Sequence, residues 1–228
     1  MFSLHSRAPS TPSIRRLPSY LRLLKEAQAR GETVVSCTRI AEEFGQLSVQ
    51  VRKDLAITGV TGRPKVGYRI DELVEAIERF LGWDLKTRAF LVGCGNLGSA
   101  ILNYAGFAAH GLEIVGVFDA NPHLIGTTIN GHAIESVDAM VSRAAALQDS
   151  RARIDMGIVT APAFAAQSVA DRLVEVGVRA IGNYSPAKLE LPSSIVVENV
   201  KLSESFAVLT NRLLARDRET NAPRDKRE

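Results

Sequence analysis

Cysteine is nearly missing from this 228-residue chain, with Cys37 and Cys94 the two present. They lie far apart, and neither has a second Cys or a His at metal-ligand spacing, so a disulfide framework and a zinc site are both disfavoured and a reducing compartment is expected. Histidine is also scarce, at four. His5 lies in the N-terminal stretch, while His110, His123 and His132 fall in predicted turns or at a helix end, none placed as a catalytic acid or base. Long apolar runs are lacking too. Segments such as AFLVG (89–93) and SSIVV (193–197) are far too short to cross a bilayer, and the opening MFSLHSRAPSTPSIRR has no continuous apolar segment of the secretory kind. A cytoplasmic location is expected.

What the chain does have is core-forming material and an uneven charge. Hydrophobic residues make up 46% of it, enough for a small domain plus a medium one. Residues 1–70 carry 12 Lys and Arg against 5 Asp and Glu, whereas residues 71–228 carry 16 against 20. Basic charge thus gathers at the N-terminal end, where it would neutralise phosphates and release counterions, or else form a solvated basic face.

Periodicity divides the chain further. Residues 1–13, rich in Ser and Pro, read as a disordered arm. Leu17, Tyr20, Leu21, Leu23 and Leu24 recur at helical spacing and predict a first helix over about 14–30. SCTRIAEEFG (36–45) predicts a second, with Ser36 as N-cap, Ile40, Ala41 and Phe44 inward, and Gly45 ending it. Ser48 is expected to cap a third helix, SVQVRKDLAIT, with Val49, Val51 and Leu55 facing inward. GVTGRPKVGYRI (59–70) then predicts a glycine-bracketed hairpin with Arg63 and Lys65 at its tip and VGYRI as strand. Helix-turn-helix plus basic hairpin is a winged-helix plan for residues 14–86, closed by an amphipathic helix over 71–83 with carboxylates in its first turn.

From residue 87 to about 200 the pattern changes to alternating strand and helix: AFLVG, NLGSAILNYAGFAA, LEIVGVFD, VDAMVSRAAAL, RIDMGIVT, PAFAAQSVADRLVEVG, VRAIGN and SIVVENV. Such alternation predicts an α/β, doubly wound parallel sheet of the Rossmann type. A last helix over 201–216 and a charged tail over 217–228 follow.

The first strand-to-helix turn of this region reads Gly93, Cys94, Gly95, Asn96, Leu97, Gly98. Directly between a strand and a helix, the three glycines would turn tightly, admit a pyrophosphate to the backbone and pack helix on strand. Asp119, 21 residues past Gly98, ends the second strand, where a carboxylate accepts hydrogen bonds from ribose hydroxyls. Ala120 and Asn121 follow it, with no Arg for a 2′-phosphate, so NAD(H) is expected rather than NADP(H). Cys94 reads as a small packed side chain rather than a reactive thiol. Tyr184 and Lys188 have the Y-x-x-x-K spacing of short-chain dehydrogenases. That dyad needs one continuous helix, and Pro186 between them argues for a loop.

QVRKDL with VGY after it, GNLGSAILNYAGF, GVFDANP, AAQSVADRLVEVGV, GNYSP and VVENV, in this order and spacing, resemble the Rex redox-sensing transcriptional repressors over about residues 15–210. The resemblance implies a homodimer that binds palindromic double-stranded operator DNA and leaves it when NADH replaces NAD+. It implies DNA contacts from Ser48, Gln50, Arg52 and Lys53 on the third helix and from Arg63 and Lys65 on the wing, with Arg15 and Arg16 as further phosphate contacts. Gln can read a base edge bidentately and Arg can pair with guanine. Arg52, beside Asp54, could instead point to a local partner. The resemblance adds cofactor contacts at Thr160, Ala161 and Pro162 and at Asn183, Tyr184 and Ser185. It places Tyr104 near the nicotinamide and implies that the last helix, carrying Phe206, is swapped onto the partner subunit.

Two departures stand out. The family often carries an aspartate before the last helix that pairs with an arginine of the first helix; here those positions are Lys201 and Arg22, two cations. The wing contains Pro64 where the family is richer in glycine. The rival readings are an NAD-dependent oxidoreductase with an accessory N-terminal domain, and a nucleotide- or CoA-binding interaction module with a basic domain that docks a protein. The first would need a proton donor at the nicotinamide.

Overall fold

A computed structural model describes residues 9–148 and 153–221; His5 and most of the expected arm and tail lie outside these. The chain forms two compact units, Met1–Lys86 and Thr87–Glu228.

In the first unit, α1 spans Thr11–Ala29. It starts earlier than the sequence suggests, because the Ser10 side chain accepts from the Ser13 amide and Pro12 sits in the first turn, where its missing N–H is harmless. Residues 11–13 are therefore helix and not arm. β1 (Val34–Val35) leads to α2 (Cys37–Glu43), capped by Ser36 on the Arg39 amide, and then to α3 (Ser48–Ala56). Gly45 takes the left-handed φ of 60° that ends α2. Leu47 and not Ser48 occupies the N-cap of α3, with no side-chain cap bond. Val51 and Leu55, four apart, face the core, whereas Val49 lies on the opposite side and is 56% exposed, contrary to expectation. β2 covers two residues, Tyr68–Arg69, antiparallel to β1, and Ile70 already begins α4 (Ile70–Leu81). Asp71 and Glu72 favour the start of α4 and left-handed Gly82 ends it. Leu17, Tyr20, Leu24, Ile40, Val51, Leu55, Leu73 and Ile77 make one fully buried core.

The second unit runs β3 (Thr87–Val92), α5 (Asn96–Leu102), α6 (Ala105–Ala109), β4 (Leu112–Asp119), β5 (Thr128–Ile129), β6 (His132–Ser136), a 3-10 turn (Val137–Ala139), α7 (Met140–Gln148), β7 (Met156–Val159), α8 (Ala163–Glu175), β8 (Ala180–Asn183), β9 (Val196–Asn199) and α9 (Leu202–Asn221). The sheet order is β5-β6-β4-β3-β7-β8-β9, parallel throughout except for edge strand β5. Without β5 this is the doubly wound order, which reverses direction between β3 and β7 and opens a crevice at their carboxyl ends. Along β3, Phe90 and Val92 feed the core on one face and Ala89 and Leu91 the core on the other. All four are essentially inaccessible, as a strand covered on both faces must be.

Three elements differ from expectation. NLGSAILNYAGFAA is two helices, because Tyr104 is extended (ψ 97°) and restarts the chain as the N-cap of α6. β5 and β6 form an unexpected hairpin through Asn130 and Gly131, both at positive φ. α9 runs to Asn221, through the first part of the expected tail.

Candidate functional site

The glycine-rich turn lies at the crevice. Gly93 has φ 102°, its amide donates to the Phe118 carbonyl at 2.8 Å, and a Cβ there would approach the Thr160 carbonyl carbon to 2.8 Å. A Cβ at Gly98 would overlap the Gly93 carbonyl oxygen, so α5 packs against the turn only without a side chain there. Gly95 differs: a Cβ would meet nothing within 4 Å. Its bareness is needed by nothing inside the protein, which is what a backbone position reserved for the close approach of a phosphate looks like.

Two side chains bolt this turn in place. Asp119, at the end of β4, accepts from the Cys94 amide at 2.5 Å and from the Asn121 amide at 2.7 Å. Each carboxylate oxygen keeps a further lone pair for ribose hydroxyls. Thr160, just past β7, donates its hydroxyl toward the Gly93 and Val92 carbonyls at 2.6 and 3.0 Å. Cys94 is buried, its thiol directed at the Phe118 carbonyl, and burial together with Asp119 pushes its pKa up to about 12. It is a packed thiol, inert at neutral pH.

At the β8 end, Asn183 is buried and committed. Its amide nitrogen donates to the Ala187 carbonyl at 2.9 Å and to Asn199 Oδ1 at 2.8 Å, and its oxygen accepts from the Ser185 amide at 3.0 Å. Ser185 is buried too, accepting from the Ala187 amide. These two shape the loop, so the surface they offer a ligand is small. Ala161 is buried, and exposed Pro162 is the N-cap of α8. Tyr184 is half-buried, its phenol pushed up by burial, and it lines a cleft of about 360 Å³ with Leu97, Pro186, Val200, Lys201 and Ser203. Tyr184 and Lys188 sit on irregular chain after β8, so no helix aligns them. Tyr104 is exposed and stands edge-on to Phe107, ring centroids 5.0 Å apart. Phe206 is 69% exposed on α9, where Val208, Leu209, Leu213 and Leu214 are also exposed.

On the first unit, Arg52 and Lys53 are exposed on α3, with half-buried Ser48 at its start. The wing closes on itself: the Arg63 amide donates to the Gly67 carbonyl at 2.7 Å and the Gly67 amide to the Arg63 carbonyl at 2.9 Å. Between them Lys65 sits at φ 63°, unusual for a residue with a side chain, and its ammonium and the Arg63 guanidinium stand exposed. Arg52, Arg63, Lys65, Ser36 and Thr38 border one groove of about 530 Å³, open and basic. Arg15 is exposed on α1.

Arg16 is placed otherwise. Its Nε and Nη2 donate to the two oxygens of Asp54 at 2.6 and 2.7 Å, and Asp54 is fully buried. Tyr20 donates to Asp54 at 2.9 Å and Gln50 Nε2 at 2.8 Å. Burial alone would raise the Asp54 pKa, but hydrogen bonds from Arg16, Ser13, Gln50 and Tyr20 outweigh it and hold the carboxyl below the usual range. The same contacts raise the Arg16 pKa, and burial raises that of Tyr20. Arg16 is thus the counter-ion of a buried carboxylate, with Nε and Nη2 engaged by Asp54 and the side chain 26% exposed. One amide hydrogen of Gln50 is tied down, which fixes the direction of its side chain. Arg52 has no part in this cluster. Sequence reasoning named Asp54 only as a neighbour of Arg52 and missed its burial; the available signal was a carboxylate at i+3 from Val51 on the inward face of α3.

Comparison with known proteins matches residues 10–56 to the family model "Putative DNA-binding protein N-terminus" and residues 84–187 to the CoA binding domain. The redox-sensing transcriptional repressor Rex of Treponema denticola is 39% identical over 89% of this chain and 94% of its own. That of Porphyromonas gingivalis strain W83 is 41% identical over 93% and 94%. The chain belongs to the Rex family. Among solved Rex-family structures, RSP in complex with β-NAD+ and operator DNA is 33% identical with a TM-score of 0.82, over 97% of this chain and all of that one. RSP in complex with β-NADH gives 34% and 0.79, over 93% and 97%. This Rex-family chain keeps both halves of the architecture. Among its described residues no helix is long and apolar enough to cross a membrane, and no cluster of His, Cys, Asp and Glu could hold a metal.

Proposed function

We propose that this chain is a cytoplasmic transcriptional repressor that reads the NADH/NAD+ ratio, binding palindromic operator DNA as a homodimer and leaving it when NADH binds. The observation that carries the reading is the glycine turn: Gly93 and Gly98 are required by internal packing, Gly95 is open, and Asp119 stands beside the turn with no cation following it. That arrangement suits an unphosphorylated adenosine ribose and a pyrophosphate. RSP, the relative solved with β-NAD+, β-NADH and operator DNA, supports the same ligands here. The exposed apolar residues of α9 support a partner subunit over that helix, exchanged as the family resemblance implies. Basic Arg52, Lys53, Arg63 and Lys65 serve DNA, with Gln50 aimed by Asp54 at a base edge. The cofactor acts as a signal rather than as a substrate, since Tyr184 and Lys188 share no helix.

Reduction of the nicotinamide removes its positive charge. A cleft with no carboxylate among its described lining residues gives the cationic ring no counter-charge for the water it loses, so NADH is the tighter ligand. A ligand shifts a conformational equilibrium only through its different affinities for the two states, so NADH must favour a dimer whose recognition helices are mis-spaced for adjacent half-sites. A coupling of about 1–3 kcal/mol, roughly 5- to 150-fold in affinity, suffices for regulation.

The test is binding of the full chain to a duplex selected from random sequence, titrated with NADH and with NADPH at moderate salt; bulk DNA at low salt would report charge alone. NADH should release the duplex and NADPH at the same concentration should not. Retention unchanged across the NADH titration would overturn the proposal.

A further inference from the structure

The cofactor cleft carries one charged side chain that the glycine turn and Asp119 do not account for. Lys201 stands two residues past β9, just before the first helical residue of α9, and lines the cleft with Tyr184, Pro186 and Val200. The Val200 amide donates to the Asn183 carbonyl at 2.8 Å, so the backbone next to Lys201 is fixed to the end of β8. A cation at the amino end of a 20-residue helix is locally unfavourable, because the helix dipole is already positive there. Lys201 therefore adds to that positive end. Glu204, an exposed carboxylate 3.3 Å away, neutralises part of it but does not line the cleft.

The location within the sheet decides what this potential acts on. Asp119 on β4 marks the adenosine half of the crevice, so the other half of a dinucleotide lies over the ends of β7, β8 and β9, where Tyr184 and Lys201 stand. We propose that Lys201 is a specificity-determining residue for the redox state of the cofactor: its ammonium, backed by the amino end of α9, repels the cationic oxidised nicotinamide and leaves the neutral reduced ring unaffected. This rests on the dinucleotide reading above. It also gives the chain a source of redox discrimination beyond the lack of a carboxylate among the described lining residues of the cleft, one whose size is set by the Lys201–Glu204 pair.

The experiment is calorimetric titration of the full chain with NAD+ and with NADH at low and at 0.5 M salt, for the wild type and for Lys201→Gln, Lys201→Arg and Glu204→Gln. With Glu204 and solvent screening the ammonium, Lys201→Gln should lower the ratio Kd(NAD+)/Kd(NADH) by roughly 3- to 10-fold, mainly through tighter NAD+ binding. Lys201→Arg should keep the ratio, Glu204→Gln should raise it, and high salt should shrink every difference. A ratio unchanged in Lys201→Gln overturns the proposal. So does equal weakening of both cofactors, which would make Lys201 a phosphate ligand. If neither cofactor binds the wild type, the dinucleotide reading itself falls and the proposal with it.

Discussion

Replacing Asp54 by Asn tests whether the recognition helix is anchored by an ionised carboxylate. The perturbation is nearly isosteric, so packing of α3 against α1 survives and the change is electrostatic. In the wild type the fully buried carboxylate accepts from Arg16 at two points, from Tyr20 and from Gln50. Removing one member of a buried ion pair typically destabilises by about 3–5 kcal/mol, because the other charge is left uncompensated. Here Arg16 keeps 26% of its side-chain surface exposed and can turn partly to water, so we expect a value at or just below the bottom of that range, roughly 2–3 kcal/mol. For a unit of this size that corresponds to a fall of roughly 10–20 °C in melting temperature. The assay is thermal and urea unfolding of the full chain, followed by a probe of the helix-rich first unit. Tyr20→Phe is the control: it removes the hydroxyl's contacts with Asp54 and Gln46 and should lose about 1–2 kcal/mol.

The pH dependence gives the sign independently. The native Asp54 carboxyl is held below its usual range, whereas in the unfolded chain it titrates normally. Its contribution is therefore complete above the ordinary carboxylate range and disappears as pH falls through the lower native value. Wild-type stability should drop in acid more steeply than that of Asp54→Asn. A variant within about 0.5 kcal/mol of wild type at pH 7, with the same acid profile, would refute the anchored-carboxylate argument. DNA affinity should fall further than stability predicts in the folded variant, since Gln50 loses the acceptor that aims it.

Gly98→Ala places a methyl against the Gly93 carbonyl, so the turn must open; NADH titration by fluorescence should show affinity down by more than about 100-fold while ligand-free operator binding persists. Lys65→Ala should lower the slope of log affinity against log salt by about one per subunit, as expected for a phosphate contact. Lys65→Gly should lose the same slope yet unfold at higher temperature than Lys65→Ala, since φ 63° suits glycine.

Much of this was legible because two signals have local causes. The alternation from strand to helix follows from burial on both sheet faces, and Gly93, Gly95, Gly98 and Asp119 stand where the strand ends require them. The failures were contextual. Asn130–Gly131 carries a hairpin signal in plain view, but β5 and β6 are too short for an alternating pattern to register. Arg16 looks like any basic residue on a helix of a basic unit until tertiary structure brings it to Asp54, 38 positions away. Val49 was misplaced because adjacent apolar residues do not say which of them faces in. The commitment of Asn183 and Ser185 to their own loop depends on Ala187 and Asn199, contacts that no spacing rule encodes.

The bolted geometry of the glycine turn also constrains where redox state can be read. Asp119 holds the turn through the Cys94 amide and Thr160 holds it through the Gly93 carbonyl, from the two strands that flank β3. A pyrophosphate would therefore meet a preformed cradle, and both redox states of the cofactor would meet the same one. Contacts made equally by the oxidised and the reduced cofactor cannot distinguish one from the other. Discrimination must then arise over β7 to β9, where Tyr184 and Lys201 line the cleft and where α9 begins. Changes at Asp119 or Gly98 should scale both cofactor affinities together, and changes around Lys201 should alter their ratio.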